Sequence, residues 1–422
     1  MPAPRHNLGV TLPVSGMSGN EIWCLAQKGY TPGELVVGNS VCSLGLAGGI
    51  GAQLRGIAGG EVGNVTALIS EGRHAAILRM EQEALKHGAV GVTGVTSELR
   101  HLAGYTEFLS QGTGVHGRGG EHVFSTAASG METYCHLDCG YEPVRFAMGN
   151  VAYALGLGRG LMGSFRTLGR GEVHEFSKMY NDIRHTALTR LQAEAEGLGA
   201  DAVVDVRAQI LPWGPSAVEL LLTGTASRGP VRRADGQITT SELTGEELWN
   251  LAALGYAPVE FVMATSVVSL GVAAGLGTLL QSLSRGELPE LTSLIYEARE
   301  RCLDLLRQDA ARVGADQVIG NRLTLRELMP GLIEMVAVGT AVKRVDGIAP
   351  HTPLLPVQAV IVERGELEDP MTRSDHGVAA AAMVRSAQSG QQALGLVGGL
   401  FGALFFLIVM CSGMLAAIFD KS

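Results

Sequence analysis

The stretches GYTPGELVV at Gly29, GYEPVRFAM at Gly140 and GYAPVEFVM at Gly255 are three versions of one phrase, separated by 111 and 115 residues. The same offsets carry Gly45 onto Gly156 and Gly271, Glu61 onto Glu172 and Glu287, Arg73 onto Arg184 and Arg299, and Gly88 onto Gly199 and Gly314. Chance does not hold so many landmarks in register without gaps. The chain therefore carries three copies of one domain, over residues 20–116, 131–228 and 241–345.

Within a copy, the strongest periodic signal follows the shared glutamate. Leu291, Leu294, Ile295, Ala298, Cys302, Leu305, Leu306, Ala310 and Val313 recur at spacings of three and four, the apolar stripe of an amphipathic helix. Phe176, Met179, Tyr180, Ile183, Ala187, Leu191, Ala195 and Leu198 occupy the matching places in the second copy. Gly199 and Gly314 stand where a left-handed residue ends such a helix. Two β-like runs come next, AVVDV and AVELLLTGTA in the second copy, QVIGN and GLIEMVAVGTA in the third. With one strand ahead of the helix, each copy reads β-α-β-β, and the fold class is α+β.

Gly158, Gly160 and Gly163 match G-x-G-x-x-G, the spacing of a dinucleotide-binding turn. The other copies place Ala47, Gly49 and Ala52, or Ala273, Gly275 and Thr278, at the same positions. The triplet also lacks a ribose-binding acid at the end of a second strand, since Asp182 falls on the amphipathic helix. It is a coincidence within a glycine-rich connector, and no nucleotide cofactor is expected.

A formal charge of −9 gives no electrostatic footprint for nucleic acid. Six cysteines in 422 residues do not form a disulfide framework, and the first residues lack the apolar core of a secretory signal. Residues 386–419 carry no charge, and 393–419 are apolar enough, at about 1.5 Å per residue, to cross a hydrocarbon layer of about 30 Å. The expectation is a single C-terminal transmembrane helix embedded in lipid, a linker over 346–392, and the three copies held in the cytoplasm.

At AEAEGLGADAVVDV (193–206), EARERCLDLLRQDAARVGADQVIG (297–320) and AVGTAVK (337–343) the chain resembles the YbjQ-like family of heavy-metal-binding domains. The resemblance covers all three copies, and copies two and three match more closely. It implies small units that assemble into homo-oligomeric rings, pentamers among them, without established catalytic activity. Five chains would then build three stacked rings, tails together at one end.

Candidate sites are few. Cys135 and Cys139 in YCHLDC lie on one helix face, with His136 about 100° away, and could offer thiolates to a thiophilic metal such as zinc or copper. The competing reading, that they are small buried hydrophobes, is favoured. Glu61, Arg73, Glu172, Arg184, Glu287 and Arg299 recur as a charged set, read as a structural ion pair or a contact between neighbours. The histidines are read as not lining up across copies, and no G-x-S-x-G, H-E-x-x-H or Walker sequence is present, so an enzyme is not expected. The reading is a membrane-anchored scaffold or binding protein, with a metal-binding or metal-sensing membrane protein as the alternative.

Overall fold

The computed structural model describes residues 14–42, 60–102, 105–117, 123–154, 170–212, 217–233, 235–271, 289–329 and 331–355. The first copy runs α1 (Gly19–Gln27), β1 (Thr31–Cys42), β2 (Gly60–Glu61), α2 (Gly63–Lys86), β3 (Gly91–Leu102) and β4 (Tyr105–His116). After β5 (Phe124–Ser125) come α3 (Gly130–Asp138), β6 (Glu142–Ala154), β7 (Gly171–Glu172), α4 (His174–Gly197), β8 (Ala202–Pro212) and β9 (Ala217–Arg228). After β10 (Thr239–Thr240) come α5 (Gly245–Ala253), β11 (Tyr256–Ser269), α6 (Pro289–Arg312), β12 (Gln317–Met329) and β13 (Leu332–Arg344).

The β-α-β-β core is present in every copy, preceded by a short helix that the sequence indicated only at YCHLDC. Each short helix opens on a capping box: Ser18 with Glu21, Ser129 with Glu132, and Thr244 with Glu247. In each sheet the last strand of a copy lies between its first and middle strands, antiparallel to both. The copies are not closed units. The two-residue strand β2 joins the second copy's sheet beside β6, with Glu61 opposite Tyr153, and β7 joins the third copy's sheet beside β11, with Glu172 opposite Val268.

The long helices bridge copies in the same way. One side of α4 packs on its own sheet, through Val203, Leu220 and Leu222, and the other reaches Phe261, Met263 and Val267 of the third copy. Likewise α2 joins Val36 and Val92 of its own sheet to Phe146, Met148 and Leu221 of the second copy. Gly149 permits the close approach of α4 to its own strand, because a Cβ there would stand 2.2 Å from the Ala187 carbonyl oxygen. This double duty explains the burial of the strands. β6 is buried without a break from Phe146 to Ala154, having a helix on each face, while β1 alternates buried and exposed.

The stacked-ring expectation is corrected by this arrangement. The second face of the helix in copies one and two, and the receiving sheet face in copies two and three, are already occupied by the neighbouring copy of the same chain. Of the expected linker over 346–392, only residues 346–355 are among the described residues. Ile348 and Leu355 pack against a cluster containing Trp249, the His351 amide donates to the Asp138 carbonyl at 2.8 Å, and the Thr352 hydroxyl donates to Asp138 Oδ2 at 2.6 Å. Among the described residues no helix is long and apolar enough to cross a membrane. The proposed span 393–419, the glycines 158, 160 and 163, and Glu287 lie outside the described residues.

One backbone position breaks the repeat. At a bulge in the middle strand, copies one and three place Gly94 and Gly320 at φ 66° and 67°, whereas copy two holds Asp205 at φ 54° and 2 % exposed. A β-carbon in that region costs about 1–2 kcal/mol. Burial, reinforced by Glu132, pushes the Asp205 carboxyl up to about 7 against the opposing pull of Arg207. The folded state therefore holds a proton that the unfolded chain releases near the usual carboxylate range, and stability falls as pH rises from about 4 to 7. Asp205→Gly is expected to raise the thermal midpoint at pH 7.5 and to flatten its pH dependence over that window, as read by circular dichroism melts.

Candidate functional site at the junctions between copies

Arg73 lies on α2 at the centre of the first junction, fully buried. Its Nε and Nη2 donate to Oε1 and Oε2 of Glu219 at 3.2 and 2.8 Å, a bidentate pair between the helix of copy one and the last strand of copy two. Its Nη1 donates to the Ser97 hydroxyl at 3.0 Å and the Ser97 carbonyl at 3.2 Å, while Asn150 Nδ2 donates to Glu219 Oε1 at 3.2 Å. A charged pair so far from water is tolerable only when its donors and acceptors are met in this way.

The second junction repeats the construction. Arg184 Nη2 donates to Glu334 Oε1 at 2.9 Å, Arg326 Nε donates to Glu334 Oε2 at 3.0 Å, and Thr265 Oγ1 donates to Oε1 at 3.3 Å. Burial pushes the Glu334 carboxyl up, but Arg184 and Arg326 outweigh it and hold the group below the usual carboxylate range. Thr265 stands at the place of Asn150, and Glu334 at that of Glu219.

Among the described residues, Glu61 and Glu172 do not pair with Arg73 and Arg184, as an ion pair within each copy would require. Glu61 on β2 instead binds Arg190 of the next copy's helix at 2.8 Å, and Glu172 on β7 binds Arg301 of the third. Glu61, Glu172, Arg73 and Arg184 thus all bind residues of the following copy. Glu219 and Glu334 were missed. Their signal was present as a single acid inside an otherwise apolar strand, AVELLL and LIEMVAV, where a carboxylate needs a buried partner.

A second cross-copy pair also escaped notice. His74 and His185 are in register between copies one and two, and meet Glu194 and Asp309 of the following helix at 3.2 and 3.9 Å. The hydrogen bond to Glu194 raises the His74 pKa, with burial and Arg145 opposing. Beside His185 lies a polar cavity of about 450 Å³, lined by Gln192, Arg233, Glu260, Asp309 and Arg312. Glu260 binds Arg233 at 3.0 Å and Arg312 at 2.8 Å there, so the central carboxylate is already neutralised.

Cys135 and Cys139 sit on α3 and at its C-cap, where the three short helices pack together. Cys24, Tyr134, Tyr141, Leu248 and Trp249 surround them. Burial pushes the Cys135 thiol well up and the Cys139 thiol up to about 12. Metal ligation needs the thiolate, and burial disfavours it at both residues. Burial also lowers His136 to about 4 and leaves its Nε2 without a partner. Among the described residues no group of three or more His, Cys, Asp and Glu side chains could hold a metal ion. Among the described residues, those around Cys135, His136 and Cys139 do not fit a zinc or copper centre.

A family model described as "putative heavy-metal-binding", the YbjQ type, matches residues 30–118, 141–229 and 240–345. The chain belongs to this family. An encapsulin nanocompartment protein of Mycobacterium tuberculosis is 33 % identical over 217 residues, covering 49 % of this chain and 80 % of the relative. Single-copy relatives include a UPF0145 protein of Thermosipho melanesiensis, 39 % identical over 85 residues (20 % of this chain, 79 % of the relative). One from Archaeoglobus fulgidus is 40 % identical over 87 residues (21 % and 81 %). No solved structure matches the chain. The YbjQ match coincides with the three repeated cores.

Removing one member of a buried pair strands the other, at a cost of about 3–5 kcal/mol, whereas replacing both with apolar groups is close to neutral. Arg73→Ala and Glu219→Ala are each expected to lower the urea midpoint strongly. Arg73→Met combined with Glu219→Leu is expected to recover most of the loss, as checked by equilibrium unfolding followed through tryptophan fluorescence.

Proposed function

We propose that this YbjQ-family chain is a non-catalytic scaffold or binding platform, tethered to a membrane by 393–419 and presenting its three copies in the cytoplasm as one strip. The observation that carries the reading is the junction built twice from matching residues: Arg73 with Glu219, and Arg184 with Glu334. Buried charge is spent here on fixing one copy against the next. The encapsulin nanocompartment relative adds support, because its name places it in a protein assembly, and work done through protein contact is the property carried over. Homo-oligomerisation belongs to the same reading.

The tether rests on the uncharged run 386–419. The full chain is expected to float with phosphatidylcholine vesicles and to resist carbonate extraction. Phe406→Arg with Met410→Arg places two charges in the proposed span, each costing about 2.5–3.5 kcal/mol at a helix centre, and is expected to leave the protein in the soluble fraction. Flotation unchanged by both substitutions would remove the tether. The alternative reading, metal binding or sensing, draws on the family's description and on the cysteine cluster at α3. It requires stoichiometric zinc or copper in the full chain that disappears in Cys135→Ser with Cys139→Ser. The buried thiols predict no such difference.

A further inference from the structure

Each internal junction has a helix side and a sheet side, and the chain ends with one of each left open. The open sheet side is on copy one. Leu35, Val37 and Val41 of β1 are 47, 40 and 57 % exposed, while their counterparts Phe146, Met148 and Ala152 are buried under α2. In the last strand, where the offset between copies one and two is 112, Glu107 is the counterpart of Glu219. Asn39 Nδ2 donates to Glu107 Oε1 at 3.1 Å, as Asn150 does to Glu219. The acceptor is assembled and faces solvent.

The open helix side is on copy three. Arg299 is the counterpart of Arg73 and Arg184, yet its side chain is 40 % exposed where theirs are 0 and 3 %. It contacts Glu300 of its own helix at 3.4 Å and stacks over Tyr296 at 4.4 Å. Among the described residues no further copy receives it.

Two further positions match across the open ends. At the first junction Arg145 of the strand clasps Glu81 of the helix. The corresponding positions at the chain ends are Glu34 and Arg307, the same pair with its charges interchanged. Among the short helices, Gly130 and Gly245 lie so close to the preceding copy that an added Cβ would stand 2.7 and 2.6 Å from Glu21 and Glu132. Gly19, their counterpart, has nothing within 4 Å, and Glu247 on α5 is exposed. One rim position opposes: Glu300 and Glu83 stand where His74 meets Glu194 and His185 meets Asp309. The external contact is therefore weaker than the internal ones.

We propose that the open sheet face of copy one receives α6 of a second copy of this chain, head to tail, with Arg299 of one chain against Glu107 of the next. This deepens the assembly reading above and is independent of the tether. The contact is heterologous, so successive chains either close a ring or extend a filament. A ring contains whole chains, and its repeats come in multiples of three.

The test is the mass of the full chain in dodecyl maltoside, by light scattering and native mass spectrometry, for the wild type and two single charge reversals. The wild type is expected as an integer multiple of the chain. Arg299→Glu alone and Glu107→Arg alone are each expected to give single chains with unchanged helicity. Mixing the two variants restores complementary charge at every contact and is expected to rebuild assemblies with the two chains alternating. A wild type that stays a single chain, a mass indifferent to both reversals, or folded variants that stay single when mixed would each overturn the proposal. Indifference would place any association in the apolar tail, and flotation of the same variants reads the tether separately.

Discussion

The arrangement depends on an arginine that leaves its own copy to find its carboxylate. Arg73 and Arg184 are carried on helices whose apolar stripes already bind their own sheets, yet each guanidinium is satisfied by a glutamate on the next copy's last strand. Taking such a pair out of water costs several kcal/mol per ion, and the attraction recovers it only in tight, fully bonded geometry. Misplacement of the neighbouring copy would strand two buried charges. The pair therefore acts less as a source of net stability than as a condition on how the copies may sit.

That condition organises the rest. With the helix pinned across the junction, its second face buries Phe146, Met148 and Leu221, or Phe261, Met263 and Val267. The short strands β2 and β7 then lie along the neighbouring sheet edge, and Glu61 and Glu172 take arginines of the next helix. Each copy thus contributes a helix face and a strand edge to its successor, as in repeat proteins stabilised by nearest-neighbour contacts. Such a design leaves unlike surfaces at its two ends.

Much of this was legible in the sequence, and the limits are physical. The β-α-β-β order followed from helical periodicity ended by Gly199 and Gly314, and the copies from offsets shared by glycine, glutamate and arginine. The pairing of charges was not legible, because proximity in sequence drew Glu61 toward Arg73 while the fold paired Arg73 with a residue 146 positions further along the chain. The second apolar face shows in the fold, where β6 and β11 are buried almost without a break while β1 alternates buried and exposed. Cys135 and Cys139 did share a helix side, but periodicity could not show that Trp249 and Tyr141 from other elements would close over them.

If the buried pairs make the three copies one body, the copies should lose structure together. Differential scanning calorimetry of the full chain tests this most directly, through the ratio of calorimetric to van't Hoff enthalpy for the globular part. The account predicts a single transition with a ratio near one. Three resolved transitions, or a ratio near three, would show that the copies unfold independently and would contradict the role given to the Arg73 and Arg184 pairs.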